Sequence, residues 1–399
     1  MKRMLLVGLF ALICLAQIFA GGVSEPAKAT GGEATAAKAL DPNAIDPWIA
    51  EKRKAEKPFI TSQVRFKGIG GEIPVYDDQL VLTNAEVAKL RAGKFKAAYV
   101  DNNTAGEYSL AIIGGARETL KYLGIEMIAE TSANFDAGKQ KNDVESVLAM
   151  KPDLVIGYPV DPTTGAEVFR PVVDAGLTLV IVSNRPHGYT PGKEYVAVST
   201  NNPYDNGWNT AQMMLDAVPA DGEIGLILYQ DEYFVLNVMD QAVKDCIKQF
   251  RPKLTVRTEG YVDWNTAGEK ATALMQRYPK IQAMYTTWFD PAMVVASDLK
   301  AIERRDVKIY TFGMNTPALL DLLDAKGNIK GLTTDLTWNV GMNTAILAAY
   351  GLLKKQAPEM VVVPNAPVTP ENLREIWSIA YTNVPLPKEV DDVLKKLGK

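Results

Sequence analysis

Histidine is nearly missing from this chain: His187 is the only one in 399 residues. Histidine-rich metal sites and nucleophiles activated by a histidine partner are excluded as organising features. Cysteine is almost as scarce, with Cys14 and Cys246 alone and no CxxC spacing, so neither a zinc ribbon nor a redox pair is encoded. Basic residues hold no majority: 43 Lys and Arg stand against 47 Asp and Glu, a formal net charge of −4. The electrostatic footprint of a nucleic-acid binder is therefore lacking. There is no P-loop lysine motif and no Gly-x-Ser-x-Gly elbow. The glycines of Gly68-Ile-Gly-Gly-Glu72 do not open a helix after a strand, as a dinucleotide fingerprint requires. No catalytic residue, metal or cofactor is expected.

What is present is ordinary globular material, 47% hydrophobic and 23% charged, enough for the core of a two-lobed α/β chain. The N-terminus is patterned. A basic Met1-Lys-Arg precedes Met4–Ala20, apolar except for Gln17, and Ala20 offers a small residue at a cut before Gly21-Gly22. This reads as a secretory signal peptide over residues 1–20, which places the mature chain in the periplasm or on the outer side of the inner membrane. The alternative is a membrane anchor, for which the run is short of the ~20 residues a span needs. Lipid attachment at Cys14 would want a small residue before it, where Ile13 stands. Cleavage leaves Cys246 alone, so no intrachain disulfide can form. Residues 21–57, rich in Ala, Gly, Pro, Lys and Glu, read as a flexible tether. Residues 58–94 read as a lead-in packing on the first lobe, with a short strand at Leu80–Leu82 and a helix capped by Thr83 or Asn84.

From Phe95 the pattern is regular. Strands are expected at Lys96–Val100, Ile125–Glu130, Asp153–Tyr158 and Leu177–Val182, with helices between them, including one over Thr164–Asp174. The cycle restarts at Ile224–Tyr229 and runs through strands at Leu254–Gly260, Ala283–Thr286, Val307–Phe312 and Gly331–Thr334 to a long helix, Asn339–Leu353. Strand–helix alternation with short breaks argues for parallel sheets covered on both faces. Two such cycles predict two doubly wound α/β lobes. The tail is expected to add a strand around Ile376–Tyr381 and a last helix, Pro387–Leu397.

In doubly wound sheets ligands sit at the carboxyl ends of the strands. The residues that follow each expected strand form a coherent set: Asp101, Asn103, Glu107 and Tyr108; Asn184 and Arg185, with His187 nearby; Asp231 and Tyr233; Trp264; Trp288 and Asp290; Asn315; and Asp335. Planar amides, carboxylates and a guanidinium near aromatic rings suit a cleft for a small polyhydroxylated ligand, whose hydroxyls need partners and whose ring faces lie on aromatic planes. Each residue has a plainer reading. Asn184 can cap a turn, Asp290 and Asn315 can cap helices, the tryptophans can be packing groups, and Asp231 can be solvated.

At these residues the chain resembles the type I periplasmic binding proteins, the ribose- and galactose-binding family, from about Phe95 to Leu353. Ala175-Gly-Leu-Thr-Leu-Val-Ile-Val-Ser-Asn-Arg185 is similar to the family's AGIPVVxxDR segment, with Asn184 where Asp is usual. Tyr158-Pro-Val-Asp161 resembles its NPVD segment, and Phe312-Gly-Met-Asn315 its GFD loop, with Asn315 in the place of the ligand-binding Asp. Asp290 falls on the family's ND pair, with Phe289 replacing Asn, and Asp335 on the hinge-strand contact. The family's second arginine has no counterpart in Tyr229-Gln-Asp-Glu-Tyr-Phe234, so the mouth is more acidic and aromatic than in a pentose binder.

The resemblance implies a type I fold with a three-crossing hinge near Ser199–Asn202, Asp335–Trp338 and Val361–Pro367. It puts 95–200 plus 337–362 in the N-terminal lobe and 201–336 plus 363–399 in the C-terminal lobe and tail. It further implies a monomeric solute-binding protein, not an enzyme, that passes a sugar or polyol to the permease of an ABC importer without touching nucleic acid. An amine-bearing ligand and a sensory receptor with the same cleft stay open. A glycosidase built on the adjacent Asp231 and Glu232 is disfavoured, since neighbours on one loop need not flank a bond. A repressor is disfavoured too, since a signal and an acidic tether occupy the place of its DNA-binding domain.

Overall fold

Uninterrupted apolar runs such as Leu154–Gly157 and Leu179–Val182 cannot face water on either side, and parallel strands inside a helix-covered sheet are where such runs belong. A computed structural model describes residues 40–60 and 63–399. The expected signal segment, Cys14 and the expected tether up to residue 39 lie outside the described residues. Residues 41–399 form one compact unit.

Thirteen strands occur among the described residues. The first six are β1 (Pro74–Tyr76), β2 (Lys96–Asp101), β3 (Glu126–Ser132), β4 (Leu154–Gly157), β5 (Thr178–Val182) and β6 (Val198–Asn201). The rest are β7 (Glu223–Tyr229), β8 (Thr255–Tyr261), β9 (Ala283–Thr286), β10 (Lys308–Phe312), β11 (Ile329–Asp335), β12 (Met360–Val363) and β13 (Asn365–Val368). They make two sheets, ordered β1-β12-β6-β5-β4-β2-β3 and β13-β11-β10-β9-β7-β8. All pairings are parallel except β11 with β13, where Leu332 faces Val368 and Asp335 faces Asn365.

The helices up to the first crossing are α1 (Pro47–Lys54), α2 (Asn84–Gly93), α3 (Gly106–Tyr122), α4 (Ala137–Ala149), α5 (Pro162–Val168) and α6 (Arg170–Asp174). Beyond it come α7 (Pro203–Asp216), α8 (Phe234–Phe250), α9 (Ala267–Arg277), α10 (Phe289–Ala301) and α11 (Thr316–Leu323). They are followed by α12 (Thr337–Leu353), α13 (Leu373–Ala380) and α14 (Lys388–Lys396). The chain passes between the sheets three times: from β6 into α7, from β11 into α12, and from β12 through Pro364 to β13. This is the mostly parallel α/β architecture of a two-lobed, three-crossing molecule.

Several local expectations change. The tail strand expected near Ile376–Tyr381 is helix α13: Leu373, Ile376, Trp377 and Ala380 are the buried positions, a spacing of three and four residues that suits a helix. The tail strand is β13 instead. The helix expected over Thr164–Asp174 divides at Phe169, because Pro171 lacks the N–H to continue it. The lead-in strand is β1, not Leu80–Leu82, and it adds an edge to the first sheet beside β12. Thr83 does cap α2, in a reciprocal capping box with Glu86. The end of the expected tether is ordered as α1, capped by Asp46, with Arg53 buried on its inner face.

The lead-in also reaches the second lobe. Arg65 donates to the buried Asp205 carboxylate from Nε (3.0 Å) and Nη2 (2.6 Å). Its guanidinium lies over the rings of Trp208 (4.1 Å) and Tyr204 (4.9 Å). Tyr76 and Asn202 donate to the other Asp205 oxygen, at 3.0 and 2.9 Å, and Phe66 approaches Phe234 at the start of α8. The segment therefore bridges β1 and α7 across the hinge. Arg65→Ala is expected to cost about 2 kcal/mol, from one charge-assisted contact and the cation–π stack. Urea unfolding checks this, and Arg65→Lys should recover under half, because an ammonium cannot make the paired contact while lying flat on the rings.

Candidate functional site

Strand ends set the site. β2 ends on Asp101, and the turn after β4 presents Tyr158. After β5 the backbone turns sharply: Ser183 adopts φ 52, and Asn184 N–H donates back to Val182 O at 2.6 Å. A non-glycine residue in that region is strained, and here the turn orients the next side chain. Asn184, only 1% exposed, donates from Nδ2 to Pro159 O and to the Tyr233 hydroxyl, both at 3.1 Å. Tyr233 comes from the other lobe, at the N-terminus of α8, where Asn237 Oδ1 accepts its backbone N–H at 2.9 Å. The Tyr158 hydroxyl adjoins those of Tyr233 and Ser183.

Two further contacts join the lobes. Tyr108, in the first turn of α3, donates to Asp335 Oδ2 at 3.3 Å. Thr316, at the start of α11, donates to Glu107 Oε1 at 2.6 Å. Asp335 ends β11 at the second crossing, fully buried, and accepts from Thr337 Oγ1 at 3.2 Å. Tyr381 completes the group: it donates to Met314 O at 3.0 Å and faces Asp335 and Glu107.

Burial dominates the electrostatics. Desolvation pushes Asp335 up to about 6, against the pull of its own backbone N–H, Thr337 and Tyr108. Desolvation likewise pushes Asp101 up to about 7, opposed by the N–H groups of Asn103 and Asn102 and reinforced by Glu130. The Tyr108 and Tyr158 hydroxyls are held far above their ordinary range, first by burial and then by neighbouring carboxylate and tyrosine oxygens. They act as fixed hydrogen-bonding groups.

A second cluster, aromatic, lies at the tips of the C-terminal sheet. Trp288 packs edge-on against Tyr229 at 5.6 Å and tilted against Tyr261 at 5.8 Å. Its Nε1 donates to Asp290 Oδ2 at 3.2 Å. Burial raises the Asp290 carboxyl, against that bond. Gly313 makes the neighbouring loop possible: it sits at φ +87 with the Phe289 ring against it, so a side chain would have no room.

The structure thus brings Glu107, Tyr108, Asn184, Tyr233 and Asp335 into one interlobe group, and Trp288 and Asp290 into the aromatic one. Asn315 lies beside Thr316 and spends Oδ1 on Ala318 N–H as the cap of α11. Asn103 accepts from Ala105 N–H, while its own N–H donates to the Asp101 carboxylate. Arg185 is turned away: its guanidinium pairs with Glu72 of the lead-in and donates from Nε to Tyr189 O at 2.9 Å. Asp231 is exposed on its loop, and Trp264, at the start of a short 3-10 turn, is 41% exposed. Asp101, expected at the tip of the first strand, joins the group. Tyr158 and Tyr381 are members the sequence did not single out: Tyr158 carries the same signal, a polar group at a strand end, while Tyr381 carries none, lying in a tail whose local pattern does not separate a strand from a helix. A cavity of about 500 Å³ lined by Leu177, Tyr195, Lys354 and Glu359 lies at the opposite, amino-terminal end of β5 and touches none of these groups. Among the described residues there is no metal-binding cluster and no helix long and apolar enough to cross a membrane.

Comparison with known proteins supplies the family. A model described as "Periplasmic binding protein domain" matches residues 98–357, while no curated protein matches. Among solved structures, the chain is similar to an arabinose-binding protein from Geobacillus stearothermophilus, at 18% identity and TM-score 0.64, over 71% of this chain and 99% of that one. It is also similar to a carbohydrate transporter solute-binding protein from Agrobacterium radiobacter in complex with D-arabinose (18%, TM-score 0.61, 72% and 99%). A third is a 5-methylthioribose transporter solute-binding protein from Thermotoga lettingae in complex with 5-methylthioribose (15%, TM-score 0.59, 76% and 99%). At these identities the neighbours show the fold, and their nearly complete coverage leaves over a fifth of this chain outside the shared body. With the family model spanning well over half its length, the chain belongs to the periplasmic binding proteins, of the type I fold.

Proposed function

We propose that the protein captures a small polyhydroxylated ligand, a sugar or polyol, between its lobes and delivers it to the permease of an ABC importer. The observation that carries the reading is the line of direct interlobe hydrogen bonds, Asn184–Tyr233, Tyr108–Asp335 and Thr316–Glu107. Asn184–Tyr233 and Thr316–Glu107 each join a residue of the N-terminal lobe to one of the C-terminal lobe, so they exist only when the lobes are together, while Tyr108–Asp335 ties the N-terminal lobe to the hinge. Ligand contacts of the same kind would shift the balance toward the closed form, which a permease can read. The aromatic cluster of Tyr229, Tyr261 and Trp288 beside Asp290 supplies apolar faces with a polar group at the edge, as a sugar ring requires. Neighbours crystallised with tagatopyranose, D-arabinose, glycerol and allitol support the ligand class. An export signal agrees with a role outside the cytoplasm.

A thermal-shift screen of pentoses, hexoses, polyols and amino sugars tests the reading. At least one compound should raise the melting temperature at 1 mM through mass action. Tyr233→Phe, which removes the hydroxyl that accepts from Asn184, should weaken that compound about tenfold, the cost of one well-made buried hydrogen bond. A flat response across every sugar, polyol and amino sugar would sink the proposal.

A further inference from the structure

Resting on the solute-binding reading, we propose that the ligand carries a protonated amino group beside its hydroxyls, as an amino sugar or aminopolyol does, and that Asp335 and Asp101 receive it in the interlobe cleft.

The argument begins with charge. Asp101 is 1% exposed and Asp335 fully buried. Asp335 is faced by the Tyr108 and Tyr381 hydroxyls, Thr334 and Thr337, with Glu107 behind Tyr381. Asp101 is faced by Glu130, Tyr99, Tyr158 and Tyr233. Every group in these two sets is neutral or acidic. Two cations at that edge are already occupied: Arg117 pairs with Glu130, and Lys139 with Asp143. The guanidinium expected from the sequence, Arg185, is held by Glu72 of the lead-in. Buried carboxylates call for a cation or several donors. This cleft offers them hydroxyls and backbone N–H groups but no cation, so the positive charge is left for the ligand to bring.

A second observation is independent of the acids. The Asn184 amide is fixed in orientation, because Pro159 O can only accept and so must meet the NH₂ group. Its Oδ1 is left buried and unpaired, next to the Tyr233 hydroxyl. An ammonium has three donors and no acceptor. That complements a lining whose unpaired buried atom is an acceptor, Asn184 Oδ1, and whose carboxylates face no cation. A neutral sugar hydroxyl would bring an acceptor lone pair with each donor and match the lining less well.

The test uses isothermal titration on the full mature chain with matched pairs: D-glucosamine against D-glucose, D-galactosamine against D-galactose, glucamine against sorbitol, and putrescine as an amine without hydroxyls. At least one amine should bind 30-fold or more tighter than its hydroxyl partner. Its affinity should rise as pH goes from 5 to 7, since ionisation of Asp335 near 6 and Asp101 near 7 creates the receiving charge. Asp335→Asn should abolish the amine preference and flatten the lower part of that rise. Asp101→Asn, which leaves the hinge strand untouched, should flatten the upper part and keeps the test valid where the first variant misfolds. Preference for neutral members of the pairs, or amine binding that ignores pH, overturns the inference and leaves the solute-binding reading standing. Silence from every compound overturns both.

Discussion

Arg53→Met is expected to destabilise the protein by about 3–5 kcal/mol, the cost of leaving buried carboxylates without their cation. Arg53 projects from α1 into a closed network. Its Nη1 donates to Glu56 at 3.0 Å and to Asp77 at 2.8 Å, and its Nη2 donates to Asn343 Oδ1 at 2.6 Å. Asn343 in turn donates to Asp77 at 3.1 Å, and Asn339 donates to Glu56. One guanidinium thus serves two buried acids and joins the lead-in to two residues of α12. Burial first, with the Asp77 carboxylate adding to it, holds Glu56 well above its ordinary range despite the pull of Arg53. Without the cation Glu56 would hold its proton still more tightly when folded. The loss should then be greater at pH 8 than at pH 5, because the unfolded chain ionises freely above its ordinary carboxylate values while the folded one cannot. Urea midpoints at the two pH values measure this. The triple variant Arg53→Met, Glu56→Gln, Asp77→Asn should recover at least half the loss. Equal losses at both pH values would mean that packing, not charge, holds the lead-in down.

The same network shows where sequence reading ran out. α/β alternation from Phe95 onward was legible because each strand and helix declares itself within a dozen residues through its own periodicity. Strand tips were legible for the same reason, and Tyr108, Tyr233 and Asp335 now sit in one interlobe group. What stayed hidden was non-local. Residues before Phe95 have weak periodicity, because α1 and the segment around Arg65 are held by pairings with Asp77, Asn343 and Asp205 far along the chain. No local pattern announces that Glu72 captures Arg185, 113 positions later. The family motif places an arginine at that position, but the motif carries no information about an extension lying outside the shared body. Tyr381 was lost differently: Ile376, Trp377, Ile379 and Ala380 are too few apolar positions to separate a strand from one helical turn, and only their burial decides it.

Gly341→Ala joins stability to ligand capture. α3 and α12 cross so closely that a Cβ on Gly341 would lie 1.8 Å from Ile112 O, and one on Gly115 would lie 1.9 Å from Trp338 O. The obstacle in both cases is backbone, which cannot swing aside as a flexible side chain can. The C-terminal lobe repeats the device, with the Gly207 position 2.1 Å from Met239 O where α7 meets α8. A methyl at 341 must push the two helices apart, and overpacking of this kind costs about 3 kcal/mol. The displacement also has a functional direction. α3 carries Glu107 and Tyr108 in its first turn, and α12 begins two residues after Asp335. Spreading α3 from α12 therefore separates Tyr108 from Asp335, the contact that ties the N-terminal lobe to the hinge. We expect Gly341→Ala to unfold at lower urea and, where it stays folded at 10 °C, to bind its ligand at least tenfold more weakly. Gly207→Ala should lose similar stability with a smaller loss of binding, because α7 and α8 do not carry that pair and Met239, the point of the clash, lies more than a turn of α8 beyond Tyr233. If both variants lose affinity equally, the weakening follows general instability and not the geometry of α3 against α12.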